Sequence, residues 1–164
     1  MSSTPERSHN AETLARAGLT LLGEAGTAED AQSAWRVFVS MDAEPSVRIS
    51  DELGEISGAV LDQVWSVVAR QTGVISDDGE FLLSVSGVGA AQRPWLHVRA
   101  DGIPSVRELG PNPGEPEFVA SSLDRSATVG VTTEEYEIWI LVADATAESG
   151  ESHGAQDGNV DDQP

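Results

Sequence analysis

Asp77-Asp78-Gly79-Glu80-Phe81-Leu82-Leu83-Ser84-Val85-Ser86 is where the chain changes its hydrophobic period. Asp77-Asp78-Gly79 carries turn chemistry, because Asp and Gly accept the backbone angles of a tight reversal. Residues 80–86 then alternate at period two, which predicts a strand. Upstream of this point apolar residues recur at threes and fours; downstream they alternate between turn signals. The boundary divides a helical half from a β half and predicts an α+β chain, with amphipathic helices laid on a sheet.

Working upstream, Ser50-Asp51-Glu52 opens the clearest helical pattern, with Ser50 as the expected cap and acids at 51, 52 and 55. Its expected buried face is Leu53, Ile56, Val60, Val64, Val67 and Val68, with Leu61 and Trp65 at the margin. Arg70 and Gly73 supply the stop. Val47-Arg48-Ile49 suits a short strand after a loop at residues 41–46 that contains Pro45. An earlier helix opens at Thr27-Ala28-Glu29-Asp30 with Thr27 as cap, and Ala31, Ala34, Trp35, Phe38 and Val39 follow helical spacing. Beyond Ala34 its aromatic and β-branched residues also suit a strand. A first helix is expected from residue 11 with Asn10 as cap and Leu14, Gly18, Leu21 and Leu22 along one face, ending in a turn at Gly23 and Gly26. Trp35, Phe38 and Trp65 are expected core residues.

Downstream, residues 95–100 predict a strand, Asp101-Gly102 a two-residue hairpin turn and residues 103–109 its return, where Pro104 suits a sheet edge. A rigid loop at residues 110–116 precedes strands at 117–121, 127–131 and 135–142. The expected architecture is two or three N-terminal helices packed on a mostly antiparallel sheet of about five strands. Residues 10–144 form one domain in this reading, between a flexible N-terminus (1–9) and a disordered acidic tail (145–164).

The formal net charge is −19, of which residues 144–164 hold six acids and no arginine, leaving −13 for residues 1–143. Such a chain repels the phosphates of nucleic acids and anionic membranes, so neither is an expected partner. It suits a basic protein partner, or solvation in a salt-loving host. The longest apolar run, residues 138–143, is far shorter than a membrane span, and no secretory pattern opens the chain, so a cytoplasmic location is expected.

Cysteine and lysine are both absent, and all nine basic residues are arginine. The missing lysines suit either a GC-rich genome, through codon usage, or selection against lysine modification or lysine-directed tagging. Their absence rules out the phosphate-binding P-loop, Schiff-base chemistry and Ser-Lys dyads; without cysteine there is no thiol nucleophile or thiolate metal site. No G-x-G-x-x-G occurs, and Ser84-Val85-Ser86-Gly87-Val88 lacks the leading glycine of a nucleophile elbow. His9 and His153 sit in the terminal segments, so His97 is the one histidine within the expected domain. One imidazole does not build a multi-histidine zinc site. Asp77-Asp78-Gly79-Glu80 lacks the alternating oxygen ligands of a calcium loop. No catalytic, metal or cofactor-binding residue is nominated, and no cofactor is expected.

One constellation is singled out. With Asp101-Gly102 as a hairpin turn, Trp95, His97 and Arg99 share a face, with Val106 beside His97 and Glu108 beside Trp95. Exposed Trp and Arg are the residue types that anchor interfaces, so Trp95, His97, Arg99 and Glu108 form the candidate interaction face. Glu134-Glu135-Tyr136-Glu137 is a second candidate contact for a basic partner, or a charged guard on an exposed strand end. The leading expectation is a non-enzymatic acidic binding protein of the inhibitor, immunity-factor or export-chaperone kind. The alternatives are a small carboxylate- or serine-dependent enzyme with His97 near its site, and a regulatory or structural subunit whose acidity reflects its host. Oligomeric state is left open.

Overall fold

The computed structural model describes residues 11–39, 44–52, 55–87, 90–112 and 114–144. The N-terminus (1–9), the Asn10 cap, Leu53 and the acidic tail (145–164) lie outside the described residues. Among those described are three helices: α1 (11–17), α2 (Ala28–Phe38) and α3 (Glu55–Gln71). The strands are β1 (Leu19–Ala25), β2 (Val47–Ser50), β3 (Glu80–Val85), β4 (Trp95–Ala100), β5 (Phe118–Ser121), β6 (Ala127–Thr133) and β7 (Glu137–Asp144). They form one seven-stranded sheet in the order β1-β4-β3-β5-β6-β7-β2, antiparallel at every pairing. The α+β class holds, with seven strands in place of about five.

The edge strands are the two that local patterning counted least. β1 falls where the first helix was expected to continue through Leu21 and Leu22. Gly18, at φ 79°, ends α1 in the left-handed conformation that favours glycine, and the chain leaves it extended along β4. β2 confirms the short strand expected at Val47-Arg48-Ile49 and pairs with β7. The expected return strand at 103–109 does not form. Ser105 N donates to Ala17 O at 2.8 Å, which draws the segment beside α1, and Val106–Glu108 closes as a 3-10 turn against α3.

Helices cover both faces of the sheet. On one, Leu14 and Ala17 of α1 and Leu61, Trp65 and Ala69 of α3 pack on Phe81, Leu83, Val98, Phe118 and Ile140. The Trp65 ring meets Phe81 and Phe118 with centroids 5.6 Å away in each case, tilted at 57° and 68°. On the other, Ala31, Ala34, Trp35 and Phe38 of α2 pack on Leu82, Trp95, Val119 and Leu141. This explains the three consecutive apolar residues of β3: Phe81 and Leu83 face α3 while Leu82 faces α2, so a strand covered on both sides needs little polarity.

α2 keeps the expected cap. Thr27 Oγ1 accepts from Asp30 N at 3.2 Å and Asp30 Oδ2 accepts from Thr27 N at 2.7 Å, a reciprocal capping box. The helix continues to Phe38, so the strand alternative beyond Ala34 does not form, and Val39 falls past the helix end and is exposed. Phe38 lies over Gly130 of β6, where a Cβ would sit 3.0 Å from its ring carbons.

α3 is rotated from its expected orientation. Its buried face is Leu61, Trp65 and Ala69, flanked by Ser57, Asp62 and Ser66. Ile56, Val60 and Val67, expected inside, are 62%, 40% and 52% exposed, while Val64 and Val68 are partly buried at the boundary. The helix carries two apolar stripes, and the aromatic pair Phe81 and Phe118 is matched by the one that holds the Trp65 ring. Ser50 is the last residue of β2 and not the helix cap; its carbonyl oxygen accepts from Ser57 Oγ at 2.6 Å.

Candidate acidic binding surface

The residues of the expected interaction face part company in three dimensions. Trp95 is 1% exposed, sealed under α2, and its Nε1 makes no hydrogen bond among the described residues. His97 is half-buried on the same side of β4, with Nε2 2.7 Å from Glu80 Oε1 on β3. Arg99 is half-buried and reaches Asp101, Nε to Oδ1 3.8 Å. Glu108 lies on the 3-10 turn in the other layer, 3.6 Å from Arg16 of α1, and Val106 is buried beneath α3. β4 is flanked by β3 and β1, with Ala25 beside Trp95 and Gly23 beside His97, so the hairpin geometry behind this face is replaced. The signal missed was the run Leu19-Thr20-Leu21-Leu22 between two glycines, which suits a strand as well as a helix.

A different surface gathers charge at the end of the sheet where β6 turns into β7. The turn is closed by Glu134 N donating to Glu137 O at 2.7 Å, and it presents Glu134, Glu135 and the exposed Tyr136. The end of β2 joins it through Asp51 N donating to Tyr136 O at 2.9 Å, which brings Asp51 and Glu52 alongside. The loop before β5 joins from the other side. Thr133 Oγ1 donates to Pro116 O at 2.8 Å, bringing Glu115 and Glu117 to the same end.

Two adjoining open hollows result. One is lined by Asp51, Pro111, Glu115, Glu117, Thr133, Glu134 and Glu135; the other by Ser50, Glu52, Glu134, Glu135, Tyr136 and Glu137. Seven carboxylates from three separate segments thus converge around a shared pair, Glu134 and Glu135. Arg48 is the cation held at the margin, 3.7 Å from Glu137 and 5.2 Å from the centroid of the Trp139 ring, whose Nε1 donates to Glu137 Oε1 at 3.0 Å. Glu134-Glu135-Tyr136-Glu137 was legible as a charged run. Asp51 and Glu52 carry the local pattern of helix-dipole acids, and nothing local marks Glu115 and Glu117.

His97 lines neither hollow. Among the described residues, no group of three or more His, Asp or Glu is arranged to hold a metal ion, and no helix is long and apolar enough to cross a membrane. The carboxylates with displaced acidity lie elsewhere. Burial pushes Asp62 of α3 up, against the opposing pull of Arg107. Bonds from Ser126 and Ser122 bring Asp124, in the β5–β6 turn, down to about 2. The Thr27 backbone lowers Asp30 at the start of α2. No protein-family model, curated protein or solved structure matches the chain.

Proposed function

We propose that this chain is a non-enzymatic binding protein that acts in the cytoplasm and engages a basic protein partner through the acidic end of its sheet. The observation that carries the reading is the convergence of seven carboxylates from the segment just after β2, the loop before β5 and the β6–β7 turn with the first residue of β7 on two open hollows. Gathering like charges raises the energy of the free protein, and a cationic partner relieves it. Exposed Tyr136, on the wall of one hollow, supplies an aromatic contact for an arginine or lysine side chain. Opposite charge of this kind speeds association and selects against acidic competitors. The same charge disfavours nucleic acid as a partner, and no cofactor is invoked.

The test uses a panel of arginine- and lysine-rich peptides, titrated against the protein by fluorescence anisotropy at low and high salt. Binding is expected at low salt and should weaken steeply as salt screens the contact. The combined variant Glu117→Gln, Glu134→Gln, Glu135→Gln should lose about tenfold or more in affinity. Neutralising Glu12, Asp77 and Asp78, which lie outside both hollows, should leave it nearly unchanged. Equal losses in the two variants would reduce the effect to net charge and remove the acidic end as a site.

A further inference from the structure

The outer stripe of α3 is apolar, exposed and free of carboxylates in a chain that is otherwise densely acidic. Ile56, Val60, Gln63 and Val67 face outward at spacings of four, three and four, the seam spacing of helices that pair. A helix apolar on two sides is one that is covered on two sides, and here the sheet covers only the Leu61–Trp65–Ala69 side. Residues 1–10, 40–43 and 145–164 contain no large apolar residue besides Met1, Met41 and Val160.

We propose that the outer face of α3 is the interface of a homodimer, in which the α3 helices of two copies pair antiparallel. The stripe is complementary to itself in that arrangement. Placing Ile56 opposite the partner copy's position 67 also places Ala59 opposite 64 and Val60 opposite 63, so every residue of the stripe meets another member of it. A two-fold axis between the helices requires this kind of self-complementary patch. Charge agrees with the direction. Exposed Arg70 at the end of α3 comes to the opposite end of the second helix, which Asp51 and Glu52 precede, and the two helix dipoles run head to tail. The remaining carboxylate of α3 within the pairing region, Asp62, is turned away and held by Arg107. Contact is therefore made where two highly negative chains repel least, and Gln63 at the centre fixes the register.

The inference rests on the outer face of α3, shares Asp51 and Glu52 with the acidic binding surface, and differs from it in salt response. Sedimentation velocity over a concentration series should reach twice the 17.2 kDa chain mass. Salt should preserve or strengthen this dimer by screening repulsion, whereas it weakens capture of a basic peptide. Val60→Glu and Val67→Glu change exposed positions and should each give a monomer with an unaltered circular dichroism spectrum. Because the chain has no cysteine, single thiols report geometry on otherwise native protein. A mixture of Val60→Cys and Gln63→Cys chains should oxidise mainly to the mixed disulfide. A monomer at every concentration, a dimer indifferent to Val60→Glu and Val67→Glu, or thiols that join only like with like would each overturn the proposal.

Discussion

Asp62 of α3 holds Arg107 of the 3-10 turn twice: Oδ1 accepts from the Arg107 backbone N at 3.1 Å, and Oδ2 lies 3.2 Å from Arg107 Nε. This carboxylate ties the segment after β4 to the helix layer, alongside the bond from Ser105 N to Ala17 O, while β1 takes the edge of β4. Gly58, one turn earlier, leaves room for the Arg107 side chain, since a Cβ there would lie 2.6 Å from Arg107 Cδ.

Asp62→Ala should therefore destabilise the fold by about 1–3 kcal/mol, the cost of removing the part-buried carboxylate that accepts from the Arg107 backbone and pairs with its guanidinium, measured by urea unfolding. Its pH dependence follows from burial, which raises its folded pKa above the ordinary 3.8. The folded state then holds the proton more tightly than the unfolded state. The Asp62 contribution to stability should fall as pH rises through the window above 3.8. Asp62→Asn keeps an acceptor for Arg107 N and should flatten the profile there.

Asp124 should behave with the opposite sign. Its Oδ1 accepts from Ser122 Oγ and Ser126 Oγ at 2.7 Å each and from Ser126 N at 3.0 Å, which brings its pKa to about 2. Its contribution is present above the unfolded value of 3.8 and is lost as pH falls from there through about 2. Asp124→Asn should show a shallower loss of stability in that acid range when thermal melts are followed by circular dichroism.

Gly130→Ala should destabilise the protein by about 1–3 kcal/mol, because the added methyl would press on the Phe38 ring in a filled core. Phe38→Leu introduced into Gly130→Ala should restore part of the loss. Additive losses in denaturant unfolding would mean that the two residues are not in contact.

Trp35 Nε1 donates to Ser84 Oγ at 2.8 Å between α2 and the end of β3, where Ser84 is buried. Trp35→Phe should cost about 1 kcal/mol or more, since the serine hydroxyl loses its donor. The double variant with Ser84→Ala should cost less than the sum of the two single changes, as measured by chemical unfolding of all four proteins.

Much of the sheet was readable because its strands carry their own punctuation. Asp77-Asp78-Gly79 turns into β3, Trp95–Ala100 is bounded as expected, and the alternation of the last strand holds from Glu137 onward, with Glu135 and Tyr136 in the turn before it. The Thr27–Asp30 box was readable because a cap involves residues only three apart. The rotation of α3 was not, since Ile56-Val60-Val67 and Leu61-Trp65-Ala69 are both periodic stripes of one helix. Choosing between them requires knowing that Phe81 and Phe118 stand opposite. The candidate site divides along the same line. Glu134, Glu135 and Glu137 announced themselves as a run, whereas Asp51, Glu52, Glu115 and Glu117 reach the same hollows through pairing of distant segments.

The sequence by itself determined the α+β class, the acidity of the chain, the absence of lysine and thiol chemistry, and the elements whose signals lie within a few residues. Tertiary structure alone decided that β1 and not residues 103–109 flanks β4, that Trp95 is covered by α2, and that α3 turns Trp65 inward. The physical reason is one of range. Caps, turns and alternation are stabilised by neighbours in the chain, but the partner of a strand edge or an apolar face is selected by competition among surfaces far apart in sequence.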